Sequence, residues 1–106
     1  MIYLASPYSD PDPAIQEERF RAVYDYVHLS FRKAVVVFSP IVYCHQYHAS
    51  GQLPGDFAFW QTFNEDMLLR SDELHVLTLK GWDASVGVNA EIVFAHQHNI
   101  TVRYVV

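Results

Sequence analysis

The stretch Glu73-Leu74-His75-Val76-Leu77-Thr78-Leu79-Lys80-Gly81-Trp82-Asp83-Ala84-Ser85 decides the fold. Its first seven residues form a mostly apolar run of strand character, and Lys80 to Asp83 read as a turn. Ser85 is a good cap for a helix reaching about His98. Thr101-Val102-Arg103-Tyr104-Val105 then reads as a strand. A strand, a helix and a second strand in that order form a crossover unit, which pairs its strands in parallel.

The same alternation extends upstream. Ile2-Tyr3-Leu4-Ala5 is a short apolar strand ended by Ser6-Pro7. The loop Ser6 to Pro13 is rich in turn formers. At its end Asp12 and Pro13 form a helix-start signature, with Glu17 and Glu18 favouring the dipole. Phe20, Val23, Tyr24, Val27 and Phe31 recur at helical spacing to about Arg32, with Arg19, Arg21, Asp25 and Arg32 mostly off that stripe. Val35-Val36-Val37-Phe38 reads as a strand covered on both faces. Residues 41 to 55 read as a loop marked by Gly51, Pro54 and Gly55, with at most a helical turn around Tyr43 to Tyr47. Asp56 is the expected cap of a further helix whose buried stripe is Trp60, Phe63, Met67 and Leu68.

The order β-α-β-α-β-α-β predicts an α/β fold of three layers. It is a flavodoxin-like four-stranded parallel sheet, order 2-1-3-4, with helices on both faces. The ligand crevice of such a sheet lies beyond the carboxyl ends of the strands where their order reverses, here between strands 1 and 3. Its expected walls are the loops Ser6 to Pro13 and Lys80 to Ser85.

Composition narrows the function. With 106 residues the chain has room for one domain, and 51% hydrophobic against 18% charged residues excludes disorder. A net charge of −5 argues against a nucleic-acid polymer as partner. No apolar run approaches the roughly 20 residues of a membrane span. The start lacks the basic region and length of a signal peptide, and the single cysteine, Cys44, can form no internal disulfide, so a cytoplasmic setting is expected.

Glu91 is the most informative residue. It sits in the second turn of the last helix among Ala90, Ile92, Val93 and Phe94, and buried unpaired charge is costly. Periodicity alone leaves two positions open for it, a buried one facing the crevice or the helix's exposed stripe. Gly87, one turn back, would allow a ligand close to the helix backbone. Tyr3, on strand 1, is either a core tyrosine or a hydrogen-bond partner for a carboxylate near the crevice. The second helix carries Asn64, Glu65 and Asp66, and Asp72 reads as a turn residue. His45 with His48, and His96 with His98, match no zinc spacing, so no metal and no cofactor is expected. No P-loop or GxGxxG fingerprint is present, so a phosphate would rely on loop N–H groups, serines and a helix N-terminus.

These motifs taken together resemble the nucleoside 2-deoxyribosyltransferase-like superfamily, in particular its small bacterial and phage members. The matching pieces are Ile2-Tyr3-Leu4-Ala5-Ser6-Pro7-Tyr8, Val37-Phe38-Ser39-Pro40-Ile41 and Ser71-Asp72-Glu73-Leu74. The most specific is Gly81-Trp82-Asp83-Ala84-Ser85-Val86-Gly87-Val88-Asn89-Ala90-Glu91. The resemblance implies retaining N-glycosidic chemistry on a nucleoside or nucleoside 5′-monophosphate. Glu91 would attack the sugar C1′ and Tyr3 would position it. Ser6, Tyr8, Asn64, Trp82, Asp83, Ser85 and Gly87 would hold the substrate, with Trp82, Tyr8 or the 41 to 55 segment stacking on the base. Ser85 matches the serine of relatives that hydrolyse 5′-monophosphates, which tilts the expectation toward a nucleotide, whereas Asp10 and Asp12 pull against it. Related folds with a crevice glutamate cleave the nicotinamide–ribose bond, which adds NAD as a candidate substrate. The resemblance also implies a homodimer or higher homo-oligomer whose partner completes the pocket.

One departure stands out. The superfamily usually carries an Asp eight positions before the acidic residue that opens strand 3, and counting back from Asp72 gives Asn64. Asn64 offers no titratable proton to the leaving base. Asp66 lies about 200° further around the helix and is no simple substitute. Either the helix register differs, or the base needs no acid from this position, or catalysis is lost. The last case is the alternative of a non-catalytic nucleotide-binding or regulatory module. A second departure is Ile92-Val93 where many relatives have Leu-Gly.

Overall fold

A computed structural model describes residues 1–51, 53–54 and 57–106. Its four strands are β1 (Ile2–Ala5), β2 (Val37–Phe38), β3 (Glu73–Leu77) and β4 (Thr101–Val105), all parallel in the order β2-β1-β3-β4. The helices are α1 (Pro13–Arg32), α2 (Pro40–Ala49), α3 (Phe57–Leu69) and α4 (Val86–Gln97), with a 3-10 turn over Trp82–Ala84. The expected three-layer, flavodoxin-like architecture is present.

The period of two along β1 builds both cores. Tyr3 and Ala5 join Leu74 and Val76 on one face, under Leu68 of α3 and Val88 and Ala95 of α4. Leu4 joins Leu77 on the other face, under Val23 and Val27 of α1. β1 is central, so both of its faces are covered and its residues are apolar. Tyr24 and Phe31, expected on the buried stripe of α1, are exposed instead, because only Val23 and Val27 reach the sheet.

Strand 2 is shorter than its apolar run. The expected strand Val35–Phe38 keeps only Val37 and Phe38, and Val36 is 66% exposed rather than covered on both faces. The cause is the end of α1. Ala34 adopts φ 59°, its N–H donates to Phe31 O, and Val35 N–H donates to Ser30 O, both at 2.9 Å. This Schellman closure satisfies the orphan carbonyls of α1 and withdraws Val35 from the ladder. As an edge strand, β2 also has no neighbour beyond it among the described residues.

Residues 40–49 correct the expectation of a loop. They form α2, a ten-residue helix, with Ser39 as its cap and Pro40 in its first turn. Ser39 Oγ accepts from Val42 N–H at 3.2 Å. Ser39-Pro40 ends the strand and starts a helix at once, and the helix-start half of that signal is the one the loop reading passed over.

In α3 the buried positions are Asn64 and Leu68, while Phe63 lies at the surface and Trp60 and Met67 are half-buried. The helix is thus rotated from its apolar stripe to turn Asn64 inward. Asp56, its expected cap, and Gly55 lie outside the described residues. Ser85 caps α4 as expected, accepting from Val88 N–H at 3.2 Å.

Candidate functional site

The loops after β1 and β3 leave the carboxyl edge of the sheet on either side of the β1/β3 switch point. Between them opens a cavity of about 610 Å³. Among its lining residues are Ser6, Tyr8, Asp10, Gly81, Ser85, Gly87 and Glu91, drawn from the two expected loops and the first turns of α4. The outer wall comes from α2 and α3, through Cys44, His45, His48, Trp60 and Asn64.

Glu91 takes the buried position. It is 6% exposed on the cavity floor, and the Tyr3 hydroxyl donates to its Oε2. Burial pushes the Glu91 carboxyl up to about 8, partly opposed by the bond from Tyr3. Burial and the neighbouring carboxylate also hold the Tyr3 hydroxyl well above its ordinary value, so it stays a donor. Tyr3 is fully buried behind Glu91, where β1 puts it on the same sheet face as α4.

Two further polar groups on the cavity wall lack partners among the described residues. These are Ser6 Oγ and Asn64 Oδ1, both buried. A buried polar atom left without a partner is costly, and such atoms point to water or a ligand. Asn64 thus does reach the cavity from the buried side of α3. Asp66 points outward to Arg70, at 3.4 Å.

Arg19 is the residue that sequence reasoning missed. Its spacing puts it off the apolar stripe of α1, yet it lines the cavity and its Nη1 donates to Ser9 O at 2.9 Å. Gly81 makes room for it. At φ 91°, an added Cβ on Gly81 would stand 2.8 Å from Arg19 Nη2. A glycine in the loop facing an arginine in a helix is the only trace of this in the sequence, and nothing in either segment pairs them. Asp10 also lines the cavity, and Asp12 caps α1 by accepting from Ala14 N–H at 2.9 Å.

Other expected residues fall elsewhere. Trp82 and Asp83 are not among the cavity-lining residues. Trp82 packs against Tyr104 of β4, ring centroids 5.4 Å apart, because the 3-10 turn carries its ring over the sheet edge. Gly87 lines the cavity, but its nearest neighbour is protein: an added Cβ would meet Phe57 Cδ1 at 3.1 Å. Cys44 is buried and its thiol is pushed up to about 11, which suits an inert thiol rather than a nucleophile. His45 and His48 sit on the cavity, and His96 and His98 at the opposite end of α4. No three His, Cys, Asp or Glu side chains converge on a metal-sized point among the described residues. No helix among them is long and apolar enough to cross a membrane.

Fold and site define a class: a small doubly wound α/β protein with a ligand-sized cavity at its switch point, floored by a buried Tyr–Glu pair. The chain belongs to the family described as "Domain of unknown function (DUF1937)", which it matches over residues 1–105. No curated protein matches it.

Proposed function

We propose that the protein cleaves or transfers the N-glycosidic bond of a nucleoside 5′-monophosphate or nucleoside, with Glu91 as nucleophile. The observation that carries this is the placement of Glu91, buried and held by Tyr3, on the floor of a cavity large enough for a nucleotide. A Glu91 oxygen forms a bond to C1′ while the C1′–N bond breaks and its electron pair leaves with the base. Water, or a second base, then attacks C1′ and releases Glu91. Hydrolysis is favoured over transfer on Ser85, as the resemblance implies.

Arg19, Ser85 and the N-terminus of α4 line one cavity and together suit the 5′-phosphate, which the net charge of −5 alone did not promise. The unpartnered Ser6 hydroxyl suits a sugar oxygen. The test is a panel of nucleosides, 5′-monophosphates and NAD, watched for free base, with Glu91→Ala as control. Base release that depends on Glu91 supports the reading, and none from any substrate overturns it.

Asn64 favours the second reading, a non-catalytic nucleotide-binding or regulatory module. Tight binding by calorimetry without turnover would support it. A reduced cytoplasmic setting suits the buried, free Cys44.

The assembly belongs to the same proposal. Tyr43, Tyr47, Phe59 and Phe63 are exposed on α2 and α3 beside the cavity, with Tyr43 and Phe63 stacked at 5.9 Å. A contiguous aromatic surface of this kind suits a second copy of the chain.

A further inference from the structure

The cavity wall holds a hydrogen-bonded chain that the attack by Glu91 does not use. Tyr8, buried in the loop after β1, has its hydroxyl 2.6 Å from His45 Nδ1. His45 Nε2 lies 3.2 Å from Glu17 Oε2 on α1. Phe20 stacks under the imidazole at 3.9 Å, nearly parallel, which fixes the ring plane. His45 is almost enclosed, 12% exposed, while Glu17 stands in solvent and has Arg21 at 3.9 Å. The chain thus runs from the cavity to bulk water through three elements, α1, α2 and the loop after β1.

The chemistry of the donors sets its direction. An ionised Glu17 only accepts, so His45 carries its proton on Nε2. Nδ1 of the neutral ring then accepts from the Tyr8 hydroxyl. Protonating the ring reverses that bond: Nδ1–H donates to the Tyr8 oxygen, and the Tyr8 hydroxyl proton is freed to point into the cavity.

We propose that Tyr8 is the acid that protonates the departing base, recharged through His45 and oriented by Glu17, in place of the group Asn64 cannot supply. The inference rests on the glycosidic reading above. The step balances. The electron pair of the broken C1′–N bond takes the Tyr8 hydroxyl proton, Tyr8 takes the Nδ1 proton of the imidazolium, and His45 returns to its neutral Nε2–H form. Solvent then recharges His45. Burial and Glu17 push the Tyr8 hydroxyl up to about 12, so a free phenolate is disfavoured and the proton must be replaced as it leaves. Tyr8 is the catalytic residue in this scheme; His45 and Glu17 act through it.

The experiment compares a purine nucleoside 5′-monophosphate with its N7-methylated form, whose cationic base departs neutral and needs no proton. Tyr8→Phe and His45→Gln should lose about 100-fold in base release from the unmodified substrate and change little on the methylated one. Glu17→Gln, at an exposed position, should show a smaller loss with the same selectivity. Equal losses on both substrates overturn the acid role and leave the Glu91 reading intact. The purine substrate is one from which the panel above shows release, and absence of release from every member of that panel overturns the glycosidic reading itself. Nitrogen-15 NMR of the wild-type imidazole, independent of turnover, should show the proton on Nε2; a proton on Nδ1 at neutral pH would overturn the wiring.

Discussion

The Tyr3 hydroxyl on β1 donates to Oε2 of Glu91 on α4, joining residues 88 positions apart beneath the cavity. The bond ties the central strand to the helix that enters the cavity. It also supplies a hydrogen bond to a carboxylate that burial would otherwise leave unsatisfied.

Tyr3→Phe keeps the ring in the core and removes that bond. Base release should fall by about 10- to 100-fold through misplacement of the carboxylate. Stability should fall by about 1–3 kcal/mol, since Glu91 is left without its donor. Rates and denaturant melts of the same variant check both.

The Glu91 carboxyl titrates near 8 in the folded protein, against an ordinary value of 4.5. The folded chain therefore holds a proton that the unfolded chain releases, so the contribution to stability is complete below about 4.5 and is lost as pH rises through about 8. Glu91→Gln should match the wild type at pH about 4 and exceed it at pH about 9, by at most about 5 kcal/mol. Under the glycosidic reading, kcat/KM on an N7-methylated substrate, whose base needs no proton, should climb with pH through the same range, because only the ionised carboxylate attacks C1′.

Arg19→Met should raise KM for a 5′-monophosphate by about tenfold and leave the free nucleoside nearly unchanged, the loss of one charge-assisted contact. Gly81→Ala should do the same, because its Cβ would press on the guanidinium, and should also destabilise the loop by about 1 kcal/mol or more at a φ of 91°. Steady-state kinetics on the two substrates separate these effects. Equal losses on both would remove the phosphate from Arg19.

Tyr43→Ser with Phe63→Ser should shift the protein from an assembly to a monomer by light scattering, with the melting temperature of the monomer little changed because both rings are substantially exposed. A monomeric wild type at high concentration would remove the second copy from the proposal.

The sequence by itself determined the sheet. Four apolar runs separated by helical spacings leave few alternatives to a parallel order of 2-1-3-4, because crossovers are right-handed and each strand must be covered. It also determined the caps Asp12 and Ser85, which each accept a bond within three residues, a purely local interaction. The burial of Glu91 was open, because periodicity cannot tell a crevice-facing acid from one on an exposed stripe in so apolar a helix. The tertiary structure decided that, and it decided the cavity's outer wall. α2 reads as a loop when Ser39-Pro40 is taken only as a strand end, and packing against α1 is what brings His45 to Tyr8. Arg19 meets Gly81, and His45 meets Glu17, only through long-range contacts between elements that share no local pattern. Local propensities and periods are written in neighbouring residues, whereas a site at a switch point is assembled from chain segments whose meeting depends on the whole fold.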